Sequence, residues 1–189
     1  MWDKQKRCYE KYKKTYQLQL QNIFEEKWFE KSSIIVLDAL LKLRQLCLLP
    51  CLISGQKLTE SMKLRYLEEN IDDMLEWGHN ILIFSQFTSF LSHISELLET
   101  KNIEHYMLTW KTPQKKRAQM VDEYNAGVKR IFLISLKAGG TGLNLTQADF
   151  VIHMDPWWNP AVENQATDRA HRMWQKKTVF VKKLIIKDS

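Results

Sequence analysis

The feature that most constrains the fold of this chain is an alternation of short apolar runs with helical stretches from residue 81 onward. The apolar runs are rich in β-branched and aromatic residues, and they predict strands at 81–85, 105–108, 131–135, 150–154 and 179–186. Helical patterns follow at 88–100, 113–125 and 161–172. Strands separated by helices of this length are typical of βαβ units. Because the runs are apolar nearly throughout, we predict an α/β domain whose parallel sheet is covered on both faces.

The amino-terminal part of the chain predicts helices instead. Six aromatic and aliphatic residues recur at three- and four-residue steps and are Tyr9, Tyr12, Tyr16, Leu20, Ile23 and Trp28. This spacing places them on one face of a helix over residues 1–31. The first half of this helix is rich in lysine. These lysines can form a solvated face, with the tyrosine stripe packed as core, or they can contact a nucleic acid. We favour the core.

Ser32–Ser33 interrupts this pattern and is expected to cap a second helix over residues 34–49. A third helix follows, and Gly78 is well placed to end it. Its apolar face would consist of Leu64, Leu67, Ile71, Met74 and Leu75. The predicted organisation is a helical appendage over residues 1–55 and a sheet domain over residues 56–189.

Charge and cysteine content narrow the class of protein. The chain has 28 Lys and Arg against 22 Asp and Glu, and this net charge of +6 suits a polyanionic partner. No apolar run approaches the roughly 18 residues that a membrane-spanning helix needs, so we expect an intracellular protein without membrane contact. The chain has an odd number of cysteines, which are Cys8, Cys47 and Cys51, and no second Cys/His pair lies at zinc-finger spacing. We interpret them as small buried hydrophobic residues and predict no metal site.

Ligands of open α/β sheets bind beyond the carboxyl ends of the strands, and Ser85 and Gln86 lie at such an end. Short polar side chains there can reach a phosphate or the edge of a nucleotide. On spacing alone, an amino-terminal cap of the next helix by Thr88 or Ser89 explains the segment better.

A glycine-rich segment from Lys137 to Gly142 follows the predicted strand 131–135. Three glycines in four residues allow backbone N–H groups to approach an anion, and Lys137 adds positive charge. The segment is not a Walker A loop, because no Gly-Lys-Ser/Thr occurs in the chain. Its glycine spacing also differs from a dinucleotide fingerprint, so by itself it predicts only a tight turn.

Two further motifs follow the predicted strand 150–154. Trp157 and Trp158 stand side by side between prolines, a setting that does not suit burial of both side chains. Gln165, Arg169 and Arg172 then share one face of the predicted helix 161–172, because they are four and three residues apart. Two guanidinium groups and an amide on one face suit a phosphate, although a solvated charged face has the same spacing.

In this order and spacing, the motifs resemble the second RecA-like lobe of Swi/Snf-type helicase-like ATPases, the family of chromatin remodellers and bacterial DNA translocases. The matching segments are LIFSQF, AGGTGLNL, VIHMDPWWNPAVENQATDRAHR and VFVKKLI, with LRQLC and SGQKL upstream. The resemblance implies a RecA-like parallel sheet sandwiched by helices. In such proteins ATP and Mg²⁺ bind in a cleft between two lobes, and double-stranded DNA lies across both.

The resemblance also implies an incomplete enzyme. The family's Walker A loop and Asp-Glu motif stand in the first lobe and are missing here, so we expect this chain alone to bind no cofactor and to be inactive. Its partners would be double-stranded DNA and the first lobe of the same polypeptide, in the bacterial nucleoid rather than a nucleus.

The family's motifs assign roles to individual positions. Arg172 would be the arginine finger, with Arg169 beside it and Gln165 helping to orient the cleft, while Gly140 and Gly142 would line the nucleotide. Seven residues would lie towards the DNA backbone or couple it to the ATP cleft, and they are Ser85, Gln86, Lys137, Thr141, Trp157, Trp158 and Asn159.

Two tryptophans depart from the family's motifs. Trp174 replaces glycine in His-Arg-x-Gly-Gln, and Trp110 replaces glycine in Leu-x-Gly-x-Thr. Glycine often serves positions of positive φ, which tryptophan adopts badly. An alternative function is therefore a catalytically degenerate lobe that binds DNA or protein. The Gly139–Gly142 segment leaves a free-standing Rossmann-type nucleotide-binding enzyme as a third hypothesis, and the oligomeric state stays undetermined.

Overall fold

The computed structural model describes residues 2–25, 29–53, 59–139, 143–156 and 178–187. Packing divides the chain into two compact units, Met1–Arg65 with Ile186–Ser189, and Tyr66–Ile185. The boundary predicted from the sequence, between residues 55 and 56, lies outside the described residues.

The first unit is built on two packed helices, α1 (Trp2–Glu25) and α2 (Phe29–Leu48), followed by a 3-10 turn at Pro50–Leu52. Tyr9 is buried together with residues of α2 and the following segment, which confirms the core interpretation of the tyrosine stripe at this position. The other members of this cluster are Leu46, Ile53, Cys8, Tyr12, Leu43 and Cys47.

Polar contacts add to this apolar core. The buried side chain of Gln5 donates a hydrogen bond to the backbone oxygen of Leu46 at 2.7 Å and accepts one from the backbone nitrogen of Met62 at 3.2 Å. Tyr16 donates to Asp38 at 2.8 Å. The three cysteines are half-buried rather than fully buried, and Cys8 and Cys47 pack as apolar groups.

The predicted boundary between the first two helices is wrong. Helix α1 ends at Glu25 rather than residue 31, and α2 begins at Phe29 and contains Ser32–Ser33. Serine costs only about 0.5 kcal/mol in a helix relative to the best helix formers. A pair of serines therefore does not end a helix that packs along α1.

In the second unit, the described strands form one parallel sheet in the order β2-β3-β1-β4-β5. Its elements in chain order are most of α3 (Met62–Glu76), β1 (Ile81–Ser85), α4 (Thr88–Thr100), β2 (His105–Leu108), α5 (Gln114–Asn125), β3 (Ile131–Ser135), α6 (Leu136–Gly139), β4 (Phe150–His153) and β5 (Phe180–Lys183). The predictions of β1, α4, β2 and β3 are confirmed residue for residue. The parallel sheet is confirmed as well.

The central strands are buried because helices cover both faces of the sheet. Every residue of β1 and β3 is buried. On one face, Phe84 and Phe132 belong to a cluster with Tyr124 of α5. On the other face, α4 packs through its buried residues, which are Phe90, Leu91, Ile94 and Leu98. Burial of each such side chain stabilises the folded state by about 1.5–3 kcal/mol. This packing keeps the strands, and therefore their ends, in fixed positions.

The edges of the sheet differ from the prediction. Strand β5 begins at Phe180 and ends at Lys183, and all four of its residues are exposed, so coverage on both faces is wrong for this strand. Among the described strands, β5 lies at the edge of the sheet and has β4 as its neighbour. Helix α3 ends as predicted, because Gly78 has a φ of +84° and its N–H donates to the oxygen of Leu75. The predicted helix 161–172 lies outside the described residues.

Within the described stretches, no helix is both long enough and apolar enough to span a bilayer.

Candidate functional site

The carboxyl ends of β3, β1 and β4 lie side by side, and we call this side of the sheet its carboxyl edge. Ser85 and Ser135 end their strands as register partners. Gln86 follows Ser85 directly, and Lys137 is exposed two residues beyond β3. The structure therefore brings three of the predicted site residues, Ser85, Gln86 and Lys137, to one edge.

Ser85 is buried at this edge and is bonded to a carboxylate. Its hydroxyl donates to Oδ1 of Asp155 at 2.6 Å, and both side chains are nearly inaccessible, at 0% and 2% exposed. The backbone N–H of Gln86 also points to Asp155, at 3.3 Å from each carboxylate oxygen. A buried carboxylate is stable only when donors surround it, so Asp155 ties the end of β1 to the segment after β4.

The predicted amino-terminal cap of helix α4 by Thr88 or Ser89 is wrong. Helix α4 starts at Thr88, its cap position is Phe87, and no side chain of the cap residue makes a capping hydrogen bond. Instead, the backbone N–H of Phe87 donates to the hydroxyl oxygen of Ser85 at 3.1 Å. Ser85 therefore connects the start of α4 to Asp155.

Other polar atoms at the carboxyl edge lack partners in the described part of the chain. The hydroxyl oxygen of Ser135 and Nε2 of Gln86 are buried there without a hydrogen bond. The imidazole of His153 stacks on Phe84, with ring centroids 5.4 Å apart and planes 17° apart. Since buried polar groups are normally satisfied, Ser135 and Gln86 hold unused hydrogen-bonding capacity at the carboxyl edge.

Arg117 closes a tight turn beyond β2, over residues 109–112. Its guanidinium donates to the backbone oxygens of Thr112 at 2.7 Å, Trp110 at 2.9 Å and Thr109 at 3.3 Å. Within the turn, the N–H of Thr109 donates to the hydroxyl of Thr112 at 3.0 Å. The indole of Trp110 is 59% exposed.

The structure corrects the expectation that tryptophan strains the backbone at position 110. Among the described non-glycine residues, only Asn102 has a positive φ. Trp110 therefore occupies a conformation that any residue adopts, and its large side chain points into solvent.

Most of the other predicted site residues lie outside the described residues. They are Gly140, Thr141, Gly142, Trp157, Trp158, Asn159, Gln165, Arg169 and Arg172, and the departure at Trp174 lies there too. Their assigned roles stay predictions. Within the described ranges, no group of three or more His, Cys, Asp or Glu side chains could hold a metal ion.

Two residues of this edge, Asp155 and Arg117, were not predicted from the sequence. Asp155 follows a predicted strand, so the same position rule that selected Ser85 could have selected it. Arg117 could not have been found that way, because its role depends on three backbone oxygens that meet only when the turn closes.

A parallel sheet with helices on both faces and polar groups at its carboxyl edge defines the class of open α/β domains whose ligands bind at that edge. Residues 62–173 match the protein family described as "Helicase conserved C-terminal domain". The chain belongs to this helicase C-terminal family, and its relatives place it in the Swi/Snf branch.

The relatives include an ATP-dependent helicase of Mycoplasma pneumoniae, which is 43% identical over 161 residues, 85% of this chain and 16% of that protein. The SWI2/SNF2 ATPase C-terminal domain of Sulfolobus solfataricus has a TM-score of 0.75 and 33% identity, over 97% of this chain and 74% of that chain. The SWI2/SNF2 ATPase core of Sulfolobus solfataricus in complex with dsDNA has a TM-score of 0.78 and 32% identity, over 95% of this chain and 38% of that chain.

These similarities confirm the predicted RecA-like lobe and the resemblance to Swi/Snf-type ATPases. The chain spans only 16% of the length of the first curated relatives it matches.

Proposed function

We propose that the chain is the second lobe of an ATP-dependent translocase on double-stranded DNA. The observation that carries this proposal is the likeness over 95% of the chain to a SWI2/SNF2 ATPase core in complex with dsDNA, with a TM-score of 0.78. The net charge of +6 agrees with a polyanionic partner.

In this proposal the carboxyl edge of the sheet faces the DNA backbone. Lys137 is exposed and supplies positive charge, whereas the side-chain nitrogen of Gln86 is buried, so Gln86 belongs to the DNA side only by its place in the family's motifs. Ser85 acts through Asp155 rather than on a phosphate, because its hydroxyl is buried and already donates. Thr141, Trp157, Trp158 and Asn159 complete the DNA side by their place in the family's motifs. Such backbone contacts position a duplex without reading its sequence.

The ATP side of the proposal rests on the predicted helix face of Gln165, Arg169 and Arg172. Arg172 acts as the arginine finger, which neutralises charge that develops on the transferred phosphoryl group. ATP and Mg²⁺ are bound mainly by the first lobe, since no Walker A loop occurs in this chain and its one Asp-Glu pair, Asp122–Glu123, lies within helix α5 rather than after a strand. The isolated chain therefore has negligible ATPase activity.

The test is the change Arg172→Ala in the two-lobe protein. We expect DNA-stimulated ATP hydrolysis to fall roughly 10³-fold or more, while ATP binding is largely kept. The matched control is Arg130→Ala, because Arg130 precedes β3 at the opposite edge and donates to the oxygen of Leu75 at 2.8 Å. ATPase rates near the unsubstituted level in Arg172→Ala would refute the finger assignment.

The degenerate binding lobe is the second candidate function. Trp110 supports this second function only weakly, because it has no positive φ. The hypothesis of a degenerate lobe therefore depends on Trp174. Membership of the helicase family argues against the free-standing Rossmann-type enzyme. We place the whole protein at the bacterial nucleoid, in keeping with its mycoplasma relatives.

A further inference from the structure

Trp110 presents an aromatic face at the same edge of the sheet as Lys137. It lies two residues beyond β2, which neighbours β3 in the sheet. An indole that is 59% exposed leaves a large apolar surface in water, and burial of that surface against a ligand is favourable.

The turn that carries Trp110 is held in place before any ligand arrives. Arg117 binds three backbone oxygens of the turn, and the N–H of Thr112 donates to the oxygen of Thr109 at 3.1 Å. A ligand that stacks on Trp110 therefore meets a backbone that is already ordered. Such preorganisation lowers the entropic cost of binding.

The surroundings of Trp110 are basic. No Asp or Glu occurs between Glu104 and Asp122, whereas four basic residues do, and they are Lys111, Lys115, Lys116 and Arg117. The ammonium group of Lys111 lies 5.4 Å from the centroid of the Trp110 ring. An aromatic face within positive charge fits a nucleic acid, which offers base rings and phosphates together.

A groove of about 690 Å³ begins beside the turn. It is lined by residues of α5 and by the segment after the glycine loop, among them Thr112, Gln114, Arg117, Leu143 and Asn144. This volume is in the range of small-ligand sites, so the groove beside the turn has space for a base that leaves its stack.

We infer that Trp110 is a stacking platform for an unpaired base, so that this lobe prefers DNA with a single-stranded gap over uninterrupted duplex. The inference rests on the proposed function, because it assumes that DNA lies along the carboxyl edge. An intact duplex hides the faces of its bases in the stack, whereas a gap exposes them. Stacking on an aromatic side chain contributes about 1–3 kcal/mol per base.

The test measures the fluorescence anisotropy of labelled DNA with the purified chain at low salt. The three DNAs are a blunt duplex, the same duplex with a single-stranded gap, and the gap sequence as a single strand. We expect Trp110→Ala to weaken binding of the gapped and single-stranded DNAs by about 5- to 100-fold, and binding of the blunt duplex less than about twofold. Trp110→Phe keeps an aromatic face and should retain most of the affinity.

The matched control is Trp77→Ala. Trp77 is 75% exposed and lies between α3 and β1, at the opposite end of the strands, so its loss should change none of the three affinities. An equal loss on all three DNAs in Trp110→Ala, or no loss on the gapped DNA, would overturn the platform. Binding of the blunt duplex by the unsubstituted chain tests the proposed function separately. Failure to bind any DNA would contradict both the proposed function and the stacking platform.

Discussion

At the scale of single residues, Asp155 organises the carboxyl edge of the sheet. It accepts from the hydroxyl of Ser85 and from the N–H of Gln86, while Ser85 in turn accepts from Phe87. One buried carboxylate thus orients the turn from β1 into α4 and the start of the segment that leads to Trp157.

Ser85→Ala removes a donor to Asp155 and the acceptor of the Phe87 N–H. We expect a loss of roughly 1–3 kcal/mol in the free energy of unfolding, because buried groups are left unsatisfied. Urea denaturation provides the measurement. Ser135→Ala is the control, since Ser135 is the register partner of Ser85 and its hydroxyl has no hydrogen bond within the described residues. Equal losses in the two variants would contradict a special role for the contact between Ser85 and Asp155.

At the scale of elements, β2 and α5 are joined by a side-chain pair as well as by the turn of Trp110. The hydroxyl of Tyr106 in β2 donates to Glu123 of α5 at 2.8 Å. Burial first, and then this hydrogen bond, raise the pKa of Tyr106 to about 12. The same bond lowers the pKa of Glu123.

This pair predicts an alkaline dependence of stability. The folded state has the higher pKa for Tyr106, so its stabilisation is complete below the unfolded pKa of about 10 and is lost as pH rises through about 12. We therefore expect the difference in unfolding free energy between the unsubstituted chain and Tyr106→Phe to shrink across this interval. Urea titrations at a series of alkaline pH values measure it. A difference that stays constant with pH would show that the hydroxyl is not held in this way.

At the scale of the whole molecule, the proposed binding to DNA would depend first on charge rather than on shape. The net charge of +6 includes the basic stretch around Lys115 and the exposed Lys137. Because backbone contacts release counterions, affinity for duplex DNA should depend steeply on salt and little on sequence.

For the isolated chain, we expect the logarithm of the duplex association constant to fall with the logarithm of salt concentration at a slope of about −2 or steeper, as for two or more neutralised phosphates. Anisotropy titrations over a salt series measure the slope. A second duplex of shuffled sequence serves as the control and should bind equally. A flat salt dependence, or a strong preference for one sequence, would speak against the proposed backbone contacts.

The sequence predicted the central strands better than the helix boundaries, for a physical reason. The apolar residues of the run ILIFS are all removed from water only inside a sheet that is covered on both faces. Strand β1 is indeed buried along its whole length. Ser32–Ser33 looks like a boundary locally, but α2 continues through it, because packing outweighs the weak preferences of two serines. The exposed edge position of β5 could not be predicted, since it depends on which strand pairs beyond it.

The α/β alternation, the family, and the positions of Ser85, Gln86 and Lys137 at the ends of strands can be predicted from the sequence, because periodicity and motif order are local properties of the chain. The contacts that those residues make there follow from the folded structure. Burial commits Ser85 to Asp155, and the closed turn around Arg117 turns Trp110 outward without a positive φ. Both outcomes depend on residues far apart in sequence or on backbone oxygens that converge only after folding, and such contacts leave no periodic trace in the chain.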